Sequence, residues 1–230
     1  MLSKTPGIVL THLKYKETSI IVNIYTRELG LQSYVINGVR SARSKSNKIA
    51  LFQPLTLLDL VVYNKEKSSL QRISECKCAW PYQSIPINTH KATIALFLVE
   101  ILSKTLKEQE SNLALFNFLW ESLTYFDQAQ QGIENFHLIF MIRLSQFLGF
   151  APESFQEIST QLSGLGMVSQ VTDEEQIILD QLLKGNFADQ FALSGARRHK
   201  LLQVLLQFYD WHVDRFMPIK SLTVLNQVFS

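Results

Sequence analysis

The segment Gly38 to Lys48, GVRSARSKSNK, places Arg40, Arg43, Lys45 and Lys48 in one stretch without an acidic residue. Lys and Arg displace the counterions condensed on a phosphate backbone. The serines and the asparagine between them add hydrogen-bond donors that hold phosphate without reading sequence. A solvated loop without a partner is the plain alternative. A second basic run, Ala196 to Lys200 (ARRHK), stands at the start of a predicted helix. The helix dipole disfavours cations there, which suggests that Arg197, Arg198 and Lys200 serve a carboxylate or a phosphate.

Other reactive residue types form no recognisable set. Cys76 and Cys78 put two sulfurs on one face of a strand, but a zinc site needs four ligands and no second pair exists. His12, His90, His137, His199 and His212 are scattered, and none stands in a recognisable nucleophile setting. Gly164-Leu165-Gly166 is too short for a dinucleotide fingerprint, and no Walker loop appears. Asp173, Glu174 and Glu175 lie at a predicted helix start, where the dipole accounts for them. The expectation is a binding protein, not an enzyme, with no cofactor and no metal.

The basic segment needs a scaffold, and the first third of the chain reads as strands. Gly7–Leu13, Ser19–Thr26, Leu31–Asn37, Leu55–Tyr63 and Leu70–Cys76 are short runs with polar turns between them. Five such strands in about eighty residues predict an OB-type barrel over residues 1–80. Tyr15, Tyr25, Tyr34 and Tyr63 are its candidate stacking platforms for bases. After Trp80-Pro81 the period turns helical, which predicts an all-α domain over 81–230 and an α+β chain overall. Helices are expected over Asn88–Lys107, Leu113–Phe126 and Ile133–Leu148, then from the capping-box pattern at Thr172 to Gly185, and onward from Ser194. Leu222–Phe229 reads as a short apolar tail, and Glu153–Val171 as a loop.

Charge divides along the same line. Through Trp80 there are twelve Lys and Arg against five Asp and Glu; beyond it, ten against fifteen. Opposite signs suggest different partners for the two parts. Two cysteines, no secretory signal and no apolar run of membrane-spanning length suggest a cytoplasmic protein with no membrane partner.

The order of these features resembles the RecO family, bacterial DNA repair and recombination mediators. GIVL and YKETSIIVNIYTRELGLQSYVINGVR match its opening at Tyr15, Glu17, Ser19, Thr26, Gly30, Gly38 and Arg40. ALFQPLTLLDLVVY with Gln53 and Pro54, Glu100 in LFLVEIL, Phe116, LSQFLGFAP, and HVDRFMPIKSLTVL with Ser221 follow in order. The resemblance implies an N-terminal OB-fold and a C-terminal helical domain. It implies binding of single- and double-stranded DNA, annealing of complementary strands, and help in loading recombinase onto DNA coated by single-strand-binding protein. The implied partners are RecR, sometimes RecF, and the acidic C-terminal tail of the single-strand-binding protein. For that tail, Arg197, Arg198 and Lys200 are the candidate charge partners and Phe208 a candidate wall of its apolar groove. Many members carry a four-cysteine zinc knuckle after the GF-x-P segment; residues 153–171 have no cysteine, so zinc is not carried over. An RNA-binding OB protein and a small-molecule enzyme in the helical part are the competing readings.

Overall fold

The computed structural model describes residues 2–39, 48–64, 68–163 and 171–229. The chain is α+β. Five strands, β1 (Leu2–Tyr15), β2 (Ser19–Thr26), β3 (Gly30–Ile36), β4 (Leu57–Tyr63) and β5 (Gln71–Trp80), close into a barrel of order β1-β2-β3-β5-β4. The β3–β5 pair is parallel and the others are antiparallel, the arrangement of an OB-fold. Alternation builds its core: Ile20, Val22 and Ile24 point inward from β2 and meet Tyr34, Leu58, Leu60 and Val62.

β1 is longer than the run Gly7–Leu13 predicts because it serves two neighbours. Its first half pairs with β4 and its second half with β2, across a register shift between Val9 and Thr11. Gly7 lies where both pairings overlap, and a Cβ there would stand 2.6 Å from Ile24 and 2.9 Å from Leu60. β4 begins two residues later than Leu55, whose φ of 65° interrupts the extended chain.

Residues 1–83 and 106–125 cluster as one compact unit, and 84–105 with 126–230 as the other. The segment 106–125, assigned to the helical part by periodicity, therefore groups with the barrel. It includes most of α2 (Leu113–Gln128). Leu31 N–H donates to the Glu108 carbonyl at 2.9 Å, Ser111 Oγ donates to the Arg27 carbonyl at 2.7 Å, and Phe116 packs against Tyr25. Gly30 permits this contact: its φ is +61°, and a Cβ would lie 2.3 Å from the Glu110 carbonyl oxygen.

The second unit contains α1 (Thr89–Thr105), α3 (Phe136–Leu148), α4 (Phe155–Gln161), α5 (Asp173–Lys184), α6 (Gly195–His212) and α7 (Leu222–Phe229). α3 is buried along nearly its whole circumference and packs on α1, α5 and α6, so it is the central helix. α5 opens with a complete capping box between Thr172 and Glu175. Two segments differ from expectation. Leu222–Phe229 is a helix, and α4 lies within the stretch read as a loop. Ser154 caps α4, and Phe155 and Ile158 bury its inner side.

Candidate nucleic-acid interface

Arg40, Arg43 and Lys45 lie outside the described residues, as does the Lys48 side chain. Both flanks of their segment are anchored in the barrel. Val39, immediately before Arg40, is 6% exposed and belongs to the barrel core. On the far side a 3-10 turn, Lys48–Phe52, buries Phe52 in the same core, and the Phe52 carbonyl lies 3.0 Å from His12 Nδ1 on β1. The barrel therefore holds the basic segment at both ends.

Three chain crossings share one set of strand ends: the β1–β2 turn, the exit of β3 toward Arg40, and the β4–β5 connection. Lys14 and Lys16 are exposed at the first, with Lys16 Nζ 5.3 Å from the Tyr15 ring centre. Arg72, exposed at the start of β5, stands at the third. One other patch of the barrel surface is charge-balanced: Lys4, Asp59, Glu75 and Lys77 share a depression, and Lys77 pairs with Asp59 at 3.3 Å. A balanced patch does not focus an anion.

The four candidate tyrosines separate. Tyr34 lies in the barrel core, where burial pushes its hydroxyl pKa well above 10, and Tyr25 is covered by Phe116, with its pKa pushed up to about 12 by burial. Tyr15 is half-buried and Tyr63 exposed. Sequence reasoning missed Arg72 and the apolar residues beside it. The signal was the consecutive apolar triplet Ile20-Ile21-Val22 in SIIVNIYT, which places apolar side chains on both faces of β2.

The second basic run also separates. Ser194 caps α6 through the Arg197 N–H at 3.3 Å. Arg197 pairs with Glu174 at 2.5 Å and Lys200 with Glu175 at 2.6 Å, so the acidic and basic helix starts face each other. The Lys200 ammonium and the capping hydrogen bonds from Thr172 overcome burial and hold the Glu175 carboxyl below its ordinary value. Arg198 turns the other way. Its Nε donates to Asn135 Oδ1 and its Nη2 to the Leu193 carbonyl, both at 3.0 Å. It lines a cavity of about 410 Å³ with His137, His199, Leu202, Leu225 and Phe229. His137 Nδ1 is buried there without a hydrogen-bond partner among the described residues. Burial first, and Arg198 second, push its pKa down to about 3, so the imidazole is neutral. Phe208 is 1% exposed and packs on Phe150 and His212. It is a core residue and forms no groove wall, a correction to the sequence expectation. α6 is apolar on more than one side, and periodicity alone does not tell its faces apart.

Among the described residues no three His, Cys, Asp or Glu side chains are grouped to hold a metal ion. Cys76 and Cys78 are free thiols. Burial first, and Cys78 second, push the Cys76 thiol up to about 11, which leaves it protonated and unreactive. No helix among the described residues is long and apolar enough to cross a membrane.

Residues 1–82 match the family model "Recombination protein O N terminal" and residues 88–223 match "Recombination protein O C terminal". The chain is similar to the DNA repair protein RecO of Flavobacterium psychrophilum, with 38% identity over 236 residues and 99% of each chain covered. It is 36% identical over 242 residues to the DNA repair protein RecO of Phocaeicola vulgatus, and 35% over 246 residues to that of Bacteroides fragilis, with both members of each pair covered completely. With the OB barrel, the helical unit and both halves of the chain matched, the protein belongs to the RecO family of DNA repair proteins.

Proposed function

We propose that this protein is a recombination mediator that binds single- and double-stranded DNA through its barrel, anneals complementary strands and helps load recombinase onto DNA coated by single-strand-binding protein. One observation carries the reading: an acid-free basic segment, residues 38–48, is tethered at both ends to an OB barrel whose sequence carries a large basic excess. No active site is needed for this work. Base pairing supplies the free energy of annealing, and the cations lower the repulsion between two phosphate backbones. The protein works in the cytoplasm, with RecR and, in some settings, RecF as partners. The direct test is binding to single-stranded DNA, duplex DNA and RNA of equal length. Both DNA forms bind at least as well as RNA; a marked preference for RNA would favour an RNA-binding OB protein instead.

The acidic tail of single-strand-binding protein docks on α6, as the second part of this proposal. Arg197 and Lys200 are already neutralised by Glu174 and Glu175, so Arg198 is the charge partner. The first-turn N–H groups of Gly195 and Ala196 have no intrahelical partners and favour a carboxylate beside them. The cavity next to Arg198 replaces Phe208 as the seat of an apolar terminal side chain, with Leu202, Leu225 and Phe229 as its walls.

A further inference from the structure

The cavity beside Arg198 is walled by two helices of unequal strength. On one side stand Arg198, His199 and Leu202 of α6, a helix of 18 residues. On the other stand Leu225, Asn226 and Phe229 of α7, a helix of eight. Leu225 is the one buried side chain of α7, and the others are half-buried or exposed. A helix this short, burying so little, does not hold its shape by itself.

Attachments along its length keep α7 in place. At its start, Glu100 on α1 accepts from the Lys220 and Ser221 N–H groups, each at 2.8 Å. In its middle, Asn226 Oδ1 lies 2.8 Å from His199 Nδ1 on α6. At its end, the Phe229 ring stands edge-on to His90 of α1, with centres 5.1 Å apart, and the Arg198 guanidinium lies 5.8 Å from its centre. Asn226 and Phe229 line the cavity; Glu100 does not. The cavity therefore has both walls only while α7 is docked, and the clamp on the start of α7 lies outside it.

Resting on the proposed tail docking, we infer that α7 is a displaceable wall of that site: the acidic peptide binds the docked form and clamps α7 against α6, and Glu100 is a positioning residue for a peptide it does not touch. An apolar side chain seated between Leu202 and Leu225 buries apolar surface on both helices at once, which adds the packing that α7 lacks alone. A ligand that binds only one state stabilises that state by mass action. Its apparent affinity falls with the fraction of protein in that state, and the coupling is reciprocal. Loosening α7 from outside the cavity therefore weakens the peptide, and the peptide tightens α7.

The test is hydrogen exchange of the full chain with and without a synthetic peptide of aspartates ending in phenylalanine, its Kd taken from anisotropy. At a free peptide concentration about 100 times Kd, the amides of residues 222–229 exchange about a hundredfold more slowly. The slowing includes Gln227 and Val228, which do not line the cavity, so shielding by the peptide does not account for it. Local openings of α4, which does not line the cavity either, are unchanged. In Glu100→Ala the peptide's Kd rises by the factor by which exchange shows the docked fraction of α7 to fall, and Glu100→Gln lies between. A change in α7 exchange smaller than about twofold, with binding that still requires Arg198, overturns the inference and leaves tail docking standing. Faster exchange overturns it in the other direction and makes α7 a competitor for the cavity. A peptide that does not bind the wild-type protein removes the tail docking on which the inference rests.

Discussion

Glu100 holds the start of α7 by three hydrogen bonds. Oε1 accepts from the Lys220 N–H at 2.8 Å, and Oε2 accepts from the Ser221 N–H at 2.8 Å and from Ser221 Oγ at 2.7 Å. Those N–H groups precede a helix of only eight residues, which has little intrinsic stability. Bonds to a charged acceptor contribute about 1.5–3 kcal/mol each. The Lys220 N–H is exposed and regains water on mutation, whereas Ser221 is 6% exposed and does not. Counting mainly the Ser221 bonds, Glu100→Ala costs about 2 kcal/mol or more of local stability. In hydrogen exchange this appears as a loss of protection of roughly 30-fold across residues 222–229, with α3 amides unchanged. Glu100→Gln, which keeps one acceptor oxygen, falls between. A second signature comes from pH. Burial alone would raise the Glu100 pKa; the bonds from Ser221 and Lys220, with Lys104 nearby, outweigh it and hold it below 4.5. A depressed carboxylate contributes stability above its unfolded value that is lost as pH falls through the folded value. The difference between wild type and Glu100→Gln therefore narrows below about pH 4.5. Unchanged protection of 222–229 in Glu100→Ala would refute the cap, and a pH-independent difference would refute its electrostatic origin.

Three further outcomes follow from the helical unit and the cysteines. Lys91 is 3% exposed and donates to Ser84 Oγ at 2.6 Å and to the Asp127 carbonyl at 2.8 Å, so Lys91→Ala lowers the unfolding free energy by about 3 kcal/mol in urea titration. Burial lowers the Lys91 pKa below 10.5, partly offset by Asp127; the folded state then binds fewer protons, and wild type gains stability relative to Lys91→Met as pH rises toward 10.5, with the opposite slope counting against the assignment. By anisotropy, Arg198→Ala weakens binding of an acidic peptide with a terminal apolar residue by about 2 kcal/mol, whereas Arg197→Ala and Lys200→Ala each change it by less than about 0.5 kcal/mol; equal effects move the tail off this cavity. Protein purified without a His-tag carries no stoichiometric zinc by metal analysis, and a zinc signal lost on changing Cys76 and Cys78 to Ser contradicts this.

The barrel was legible because its strands alternate: Ile20, Val22 and Ile24 announce an inward face without any tertiary information. Strand length was less so. The first residues of β1 include Lys4 and Pro6, which look unlike a strand, and they are extended because β4 pairs with them. The sequence of α4 reads as a loop for a related reason. Its apolar signal is only Phe155, Ile158 and Leu162, and the Phe155 N–H is held by Asp180 from another helix, at 2.6 Å. At the candidate sites the limit was again non-local pairing. The cations at the start of α6 conflict with its dipole until Glu174 and Glu175, more than twenty residues earlier, are placed beside them. Outward-facing Leu13, Ile21 and Val35 become neighbours only when the registers of three strands are known.

Phosphate neutralisation through Arg40, Arg43, Lys45 and Lys48 is the proposed basis of DNA binding by the barrel. Its most direct measurement is the affinity for one single-stranded oligonucleotide across a range of salt concentrations, in wild type and in the variant with all four changed to Ala. Each phosphate contact contributes about −0.7 to the slope of log affinity against log salt. If all four side chains contact phosphate, the variant's slope is shallower by about 3 units and its affinity at low salt is reduced. A folded quadruple variant with unchanged slope and unchanged affinity would contradict the claim.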